Sequence, residues 1–143
     1  MKRMRTKSLK PEQLLAKRVA AHIKLKYPKQ IFRFDTGADI YTNINSAKFN
    51  KELHGKFNKG YPDLLIPHLK KYKGNWRGGI YLELKATKQV PNSEHTRRQA
   101  AIHAVLRSLG FECDFCCGYD ECIKKIDDYM LYEKDKKKLG LNK

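Results

Sequence analysis

Gly60-Tyr61-Pro62-Asp63-Leu64-Leu65-Ile66, with its continuation Gly79-Ile80-Tyr81-Leu82-Glu83-Leu84-Lys85, decides how this chain is read. Each half is a short apolar run behind a Gly or Pro break, the mark of a strand. In the second run Ile80, Leu82, Leu84 and Ala86 alternate with Tyr81, Glu83, Lys85 and Thr87. Strand side chains alternate faces with a period of two. Glu83 and Lys85 therefore share a face, roughly 6.5–7 Å apart along the strand. Asp63 stands at the mouth of the first run. Lys70-Lys71-Tyr72-Lys73-Gly74-Asn75 reads as a basic hairpin connection, which sets the two strands side by side and antiparallel. Asp63 and Glu83 would then hold a hard divalent cation through oxygen, with Lys85 acting on a water or phosphate oxygen beside it.

The other elements follow from periodicity. Pro11 suits a first helical turn, and Leu15, Val19, Ile23 and Tyr27 recur at four-residue spacing up to a stop near Lys26. Glu12 falls on the same stripe. A carboxylate on a buried face needs a partner or a metal, so Glu12 is a candidate fourth member of the site; favouring the positive helix end is the alternative. Ile31-Phe32-Arg33-Phe34 reads as a strand. Asn92 or Ser93 caps a helix over 94–109 whose apolar face carries Ile102, Val105, Leu106 and Leu109, with Gln99 at its edge and Gly110 as the stop. His95, Arg97, Arg98, His103 and Arg107 make the remainder basic. Phe111, Cys113 and Phe115 alternate as a last strand. Asp120 caps a helix striped by Ile123, Ile126 and Met130. The order α-β-β-β-α-β-α predicts one α/β domain with a mixed central sheet, flanked by a basic arm (1–10) and a Lys-rich tail (133–143).

The charge balance points to the partner. Thirty-one Lys and Arg against 15 Asp and Glu leave a net +16. Such an excess on a small domain suits a polyanion, above all nucleic acid. Lys48, Lys51, Lys56 and Lys59 are interleaved with Tyr41, Phe49, His54 and Phe57 in an aperiodic stretch, a mixture that suits a nucleic-acid surface. With Lys70, Lys71, Lys73, Arg97 and Arg98 they form the candidate DNA-binding set. No apolar run approaches the ~20 residues of a membrane span. The basic start is followed by no apolar secretory segment, so an intracellular protein is expected. Cys113, Cys116, Cys117 and Cys122 are then expected as free thiols. Their alternation on a strand, with no second pair and no suitably spaced His, argues against a zinc site.

Pro62-Asp63 followed by Glu83-Leu84-Lys85 resembles the PD-(D/E)XK nuclease superfamily. The Gly60-Tyr61-Pro62-Asp63 turn is similar to that of the virus-type replication-repair nuclease (VRR-NUC) branch. Gln99, Leu106 and Gly110 match that branch's Gln, Leu and helix-ending Gly. The resemblance covers roughly residues 11–132. Asn92-Ser93-Glu94-His95-Thr96 departs from it as a more polar helix entry. The resemblance implies a restriction-endonuclease-like core and a nuclease dependent on Mg²⁺ or Mn²⁺. It implies Asp63, Glu83 and the Leu84 backbone carbonyl as ligands, and Lys85 and Gln99 as catalytic partners. It further implies a small homodimer, viral or phage in setting and so working in the host-cell cytoplasm, that resolves four-way DNA junctions. A restriction-type or flap nuclease on the same core, and a non-catalytic basic DNA-binding module, are the alternatives.

Overall fold

The structure, a computed structural model, describes residues 8–35, 48, 51–53, 55 and 60–133. The first helix, α1 (Pro11–Lys26), is followed by strands β1 (Arg33–Phe34), β2 (Leu64–Tyr72) and β3 (Asn75–Lys85), then helix α2 (Glu94–Ser108), strand β4 (Glu112–Cys117) and helix α3 (Tyr119–Met130). This is the order expected. The sheet runs β1-β2-β3-β4, antiparallel for the first two pairings and parallel for β3 with β4. A parallel neighbour needs a crossover, and α2 supplies it.

The hairpin differs from expectation in length. Lys70, Lys71 and Tyr72 belong to β2 and Asn75 opens β3, so the turn itself is Lys73-Gly74. Both turn residues have positive φ, 48° and 87°, as a two-residue hairpin demands. Pro67 pairs with Gly79 but Lys70 with Arg77, so β2 carries one extra residue in a bulge. The backbones crowd there: a Cβ on Gly79 would fall on the Ile66 carbonyl oxygen. β1 is shorter than the predicted strand. Residues 31 and 32 lie outside it, and the Gln30 side chain instead donates to the Pro67 carbonyl at 2.6 Å.

Two layers close on the sheet. On one side Leu15, Val19 and Ile23 of α1 and Cys122, Ile126 and Tyr129 of α3 pack against Leu64, Ile66, Ile80, Leu82 and Leu84. Each fully buried aliphatic chain there contributes about 1.5–3 kcal/mol. The α1 stripe is the one expected. Asp127 of α3 ties the two helices by accepting from Tyr27 Oη (2.6 Å) and Lys26 Nζ (2.9 Å), with His22 Nε2 at 3.1 Å. Asp120 does not cap α3. Gly118 holds that position, and Asp120 lies in the first turn.

On the other side α2 buries Thr96, Gln99, Ile102, His103 and Leu106. Val105 and Leu109, read as part of the apolar face, are 43% and 67% exposed. The buried set is spaced i, i+3, i+4, i+7 from Gln99, the geometry of one helix face. The face is turned by about one residue from the expected one because it packs on a partly polar strip of β3. Ser93 caps the helix, its Oγ accepting from the Thr96 N–H at 3.1 Å. Cys116 and Cys122 form a disulfide, so the expectation of four free thiols fails for this pair; Cys113 and Cys117 are free. The two partners sit on different elements, β4 and α3, that packing brings together.

Candidate active site

The period-two alternation of β3 sorts its side chains between the two layers. Leu82 and Leu84 enter the core beneath α1 and α3, while Tyr81, Glu83 and Lys85 point to α2. Glu83 and Lys85 are not on a solvent-facing strip: they are 5% and 8% exposed. What buries them is α2, through Gln99, itself 3% exposed rather than at a helix edge. The Gln99 amide bridges the pair. Its Nε2 donates to Glu83 Oε1 at 2.6 Å, and its Oε1 accepts from Lys85 Nζ at 2.9 Å. Lys85 Nζ also lies 3.8 Å from Glu83 Oε1. An amide is suited to this place because one end donates and the other accepts.

Asp63 reaches the same place from the entrance of β2. The Gly60 turn that delivers it sits tightly on α2: φ is +91°, and a Cβ there would come within 3.1 Å of Ile102 Cδ1 and 3.3 Å of the Arg98 carbonyl carbon. Asp63 Oδ2 accepts from the Leu84 N–H at 2.8 Å. Across the strand, the Lys85 carbonyl accepts from the Gly118 N–H at 2.8 Å on the β4 side. Backbone groups of successive strand residues point to opposite edges. The Leu84 carbonyl therefore points to the same edge as its N–H, the edge where Asp63 stands.

Electrostatically the two carboxyls are strained. Both are raised above the ordinary carboxylate range, first by burial; for Glu83 the next cause is the charge of Asp63, and Lys85 offsets part of it. Glu83 Oε2 is buried with no hydrogen-bond partner. A buried orphan oxygen on a carboxylate that faces a second carboxylate favours a proton or a cation between them. Among the described residues no three His, Cys, Asp or Glu side chains converge as a ready-made cage. Two carboxylates and a backbone carbonyl nonetheless fit Mg²⁺ or Mn²⁺, which are commonly held by one or two carboxylates with water and phosphate oxygens completing the shell.

Glu12 is exposed at the start of α1, not on its buried side. Helix ends turn the stripe away from the core within the first turn. Its charge still raises both Asp63 and Glu83. An open cleft of about 400 Å³, lined by Lys10, Pro11, Glu12, Ala86 and Thr87, continues from the end of β3.

Of the candidate DNA-contacting residues, Lys48, Lys51, Lys71, Lys73, Arg97 and Arg98 are exposed. Lys70 is half-buried and donates to the Met130 carbonyl at 3.1 Å, so its charge is partly committed to the fold. Lys56 and Lys59, with Tyr41, Phe49, His54 and Phe57, lie outside the described residues. Lys48 and Lys51–Leu53 are helical, within a stretch read as aperiodic.

Two features escaped the sequence reading. His103, taken as part of the basic surface, is fully buried one turn beyond Gln99, against the Phe115 ring at 4.4 Å between centroids. Burial, with Arg107 second, lowers its pKa to about 4. The helical spacing of Gln99, Ile102, His103 and Leu106 was the available signal. The other is a hydroxyl–hydroxyl hydrogen bond of 2.6 Å between Tyr61 and Tyr81, which no local pattern announces.

No protein-family model and no curated protein matches the sequence. A solved structure described as "VRR_NUC domain protein" does. It is 26% identical, superposes with a TM-score of 0.58, and is aligned over 88% of this chain and 92% of that one. This match supports assigning the chain to the VRR-NUC family. Its mixed four-stranded sheet flanked by helices is the restriction-endonuclease-like fold of such domains. The likeness suggests a nuclease domain. Among its described residues no helix is long and apolar enough to cross a membrane.

Proposed function

We propose that this domain is a divalent-metal-dependent, structure-selective DNA endonuclease of the Holliday-junction resolvase type, acting as a homodimer. The observation that carries the reading is the facing pair of half-buried Asp63 and buried Glu83, braced by Leu84 and Gln99, with Glu83 Oε2 lacking a hydrogen-bond donor. Asp63, Glu83 and the Leu84 carbonyl would hold Mg²⁺ or Mn²⁺, with Glu12 contributing charge from the rim. The bound ion would supply a more acidic water and neutralise charge on the phosphoryl group.

The chain's own residues do the rest. Lys85 stands beside the carboxylates, where it orients the attacking water or stabilises charge developing on a phosphate oxygen. Gln99 holds Glu83 and Lys85 in register, so that neither collapses onto the other. Lys48, Lys51, Lys71, Lys73, Arg97 and Arg98 are spread over several elements. Such a spread suits contact with phosphate backbones rather than base reading. A two-fold dimer would present two such sites to two strands, as a symmetric junction requires.

The test is cleavage of labelled duplex, flap, splayed and four-way-junction DNA by the purified protein with Mg²⁺ or Mn²⁺. Four-way junctions are expected to be cut in preference to linear duplex. Chelation is expected to abolish cutting while leaving binding, and binding should weaken steeply with salt. Sedimentation is expected to give a dimer. Equal rates on linear and branched DNA would leave a structure-tolerant nuclease. Binding without cleavage in either metal would leave a non-catalytic DNA-binding module.

A further inference from the structure

We propose that Tyr61 is a stacking platform for an unpaired nucleobase of the DNA strand whose phosphate lies at Asp63 and Glu83. This rests on the nuclease reading above and adds the part of the substrate that the site recognises beyond phosphate.

Tyr61 is 40% exposed, yet its side chain is anchored at its tip. Its hydroxyl is tied to that of Tyr81 at 2.6 Å, and the two rings meet edge to face, 5.4 Å apart at 86°. Tyr81 is 6% exposed and is braced in turn by Phe111, 5.2 Å away at 75°. On its other flank Pro62 is fully buried, and the Gly60 turn is seated on α2 as described. An exposed aromatic side chain ordinarily loses rotamer freedom when it binds. Here the contacts with Tyr81 already restrict that freedom, so a ligand meets a partly preorganised surface.

The position sets what the ligand is. Tyr81, Glu83 and Lys85 occupy one face of β3, so the hydroxyl of Tyr61 marks that same face. Tyr81 and Glu83 are two residues apart, roughly 6.5–7 Å along the strand. At a rise of roughly 3.4 Å per nucleotide, the ring is within one or two nucleotides of a phosphate at the carboxylates. The Tyr61 hydroxyl is committed to Tyr81, so what the residue offers is its neutral ring face. Ring faces accept any base, without sequence preference. A stacked duplex presents no free base face, whereas a splayed end, a flap or an opened junction core does.

The experiment measures stacking without turnover. A short single-stranded oligonucleotide carrying the fluorescent base aminopurine is titrated with the protein in chelator, with the base placed at successive positions. The wild-type protein is expected to quench the fluorescence. Tyr61→Ala is expected to lose the quench and to bind about 5- to 150-fold more weakly. Tyr61→Phe keeps the ring and is expected to keep most of both. Tyr61→Leu, with apolar bulk but no aromatic face, is expected to behave like the alanine variant. Unchanged quenching and affinity in both Tyr61→Ala and Tyr61→Leu would overturn the proposal. Cleavage with Mg²⁺ or Mn²⁺ is read separately. A wild-type protein that quenches through Tyr61 but never cuts would lose the nuclease reading and keep the platform. One that cuts, with Tyr61→Ala equal to it in binding and rate, would lose the platform and keep the nuclease.

Discussion

On one face of β3, Leu82 and Leu84 disappear into an apolar layer made by α1 and α3. On the other, one residue out of phase, Glu83 and Lys85 disappear into a layer made by α2. Burial is nearly the same: Leu82 is 0% and Leu84 2% exposed, against 5% for Glu83 and 8% for Lys85. The chemistry is opposite. The apolar face gains free energy from every group it removes from water. The polar face loses it at each carboxyl and recovers part through Gln99, Lys85 and the Leu84 N–H. One strand in this way carries an apolar core on one side and buried charge on the other.

The comparison breaks most sharply at the two carboxyls. Asp63→Asn and Glu83→Gln each remove a charge without removing volume or any basic residue. Each is expected to lower turnover by a factor on the order of 10³ or more, the loss of several kcal/mol of charge stabilisation. DNA binding should survive, and the melting temperature should hold or rise, because one of two facing carboxyls that resist ionisation is gone. Cleavage by either variant at the wild-type rate would remove this site. On the opposite face Leu82→Ala is expected to reverse the pattern. It should cost about 2–5 kcal/mol of stability, read by denaturant titration. Turnover per folded molecule should change little.

The apolar face was the more legible of the two. Leu15, Val19 and Ile23 announce themselves by period, and the β2–β3 pair by alternation between Gly and Pro breaks, because hydrophobic burial leaves a repeating trace. On the polar face, the strand period set Glu83 and Lys85 on one side of the strand and the Pro62-Asp63 turn set Asp63 at the mouth of its neighbour, where the structure has them. Their burial was not legible. It depends on α2 lying across them with Gln99 and His103 inward, a choice made by packing and not by hydrophobicity. His103 reads as surface in any scale that counts charge. The Cys116–Cys122 disulfide was hidden for a related reason: its partners sit on different elements, and only their docking brings the sulfurs together. The burial of Glu12, though not its nearness to the carboxyls, was misread because a stripe does not say where a helix end leaves the core.

The raised carboxyls give the next test, through pH. A group whose folded pKa lies above its unfolded value favours the folded state fully below the unfolded value. That contribution is lost as pH rises through the folded one. Asp63 and Glu83 are both of this kind, from ordinary values of 3.8 and 4.5. In chelator, the melting temperature should therefore fall as pH rises from the ordinary carboxylate range through neutrality. Glu83→Gln should flatten that slope. If the ionised pair binds Mg²⁺ or Mn²⁺ as proposed, the ion should stabilise the wild type more at the alkaline end of the range than at the acid end. Leu82→Ala should shift the whole curve down without changing its slope. A slope equally present in Glu83→Gln would mean that other groups carry the pH dependence.

The smallest expected effect concerns His103, buried on the same face of α2 as Gln99 but outside the proposed chemistry. Both ring nitrogens of His103 are buried without hydrogen-bond partners. Burial holds the ring neutral near physiological pH, so it carries no charge that the site could use. A buried polar group left unsatisfied costs about 1–3 kcal/mol, and an apolar group of similar shape is neutral or better in its place. His103→Leu fills much of the same space against Phe115 without the orphan nitrogens. It is expected to raise stability by about 1 kcal/mol, measured by denaturant titration at neutral pH, and to leave turnover within a few-fold. His103→Ala, which opens a cavity, should destabilise instead. If His103→Leu were destabilising and lowered turnover as well, the ring would have a bonded partner connecting it to Gln99 or Lys85. The polar face would then extend one helical turn deeper than the four residues that define it now.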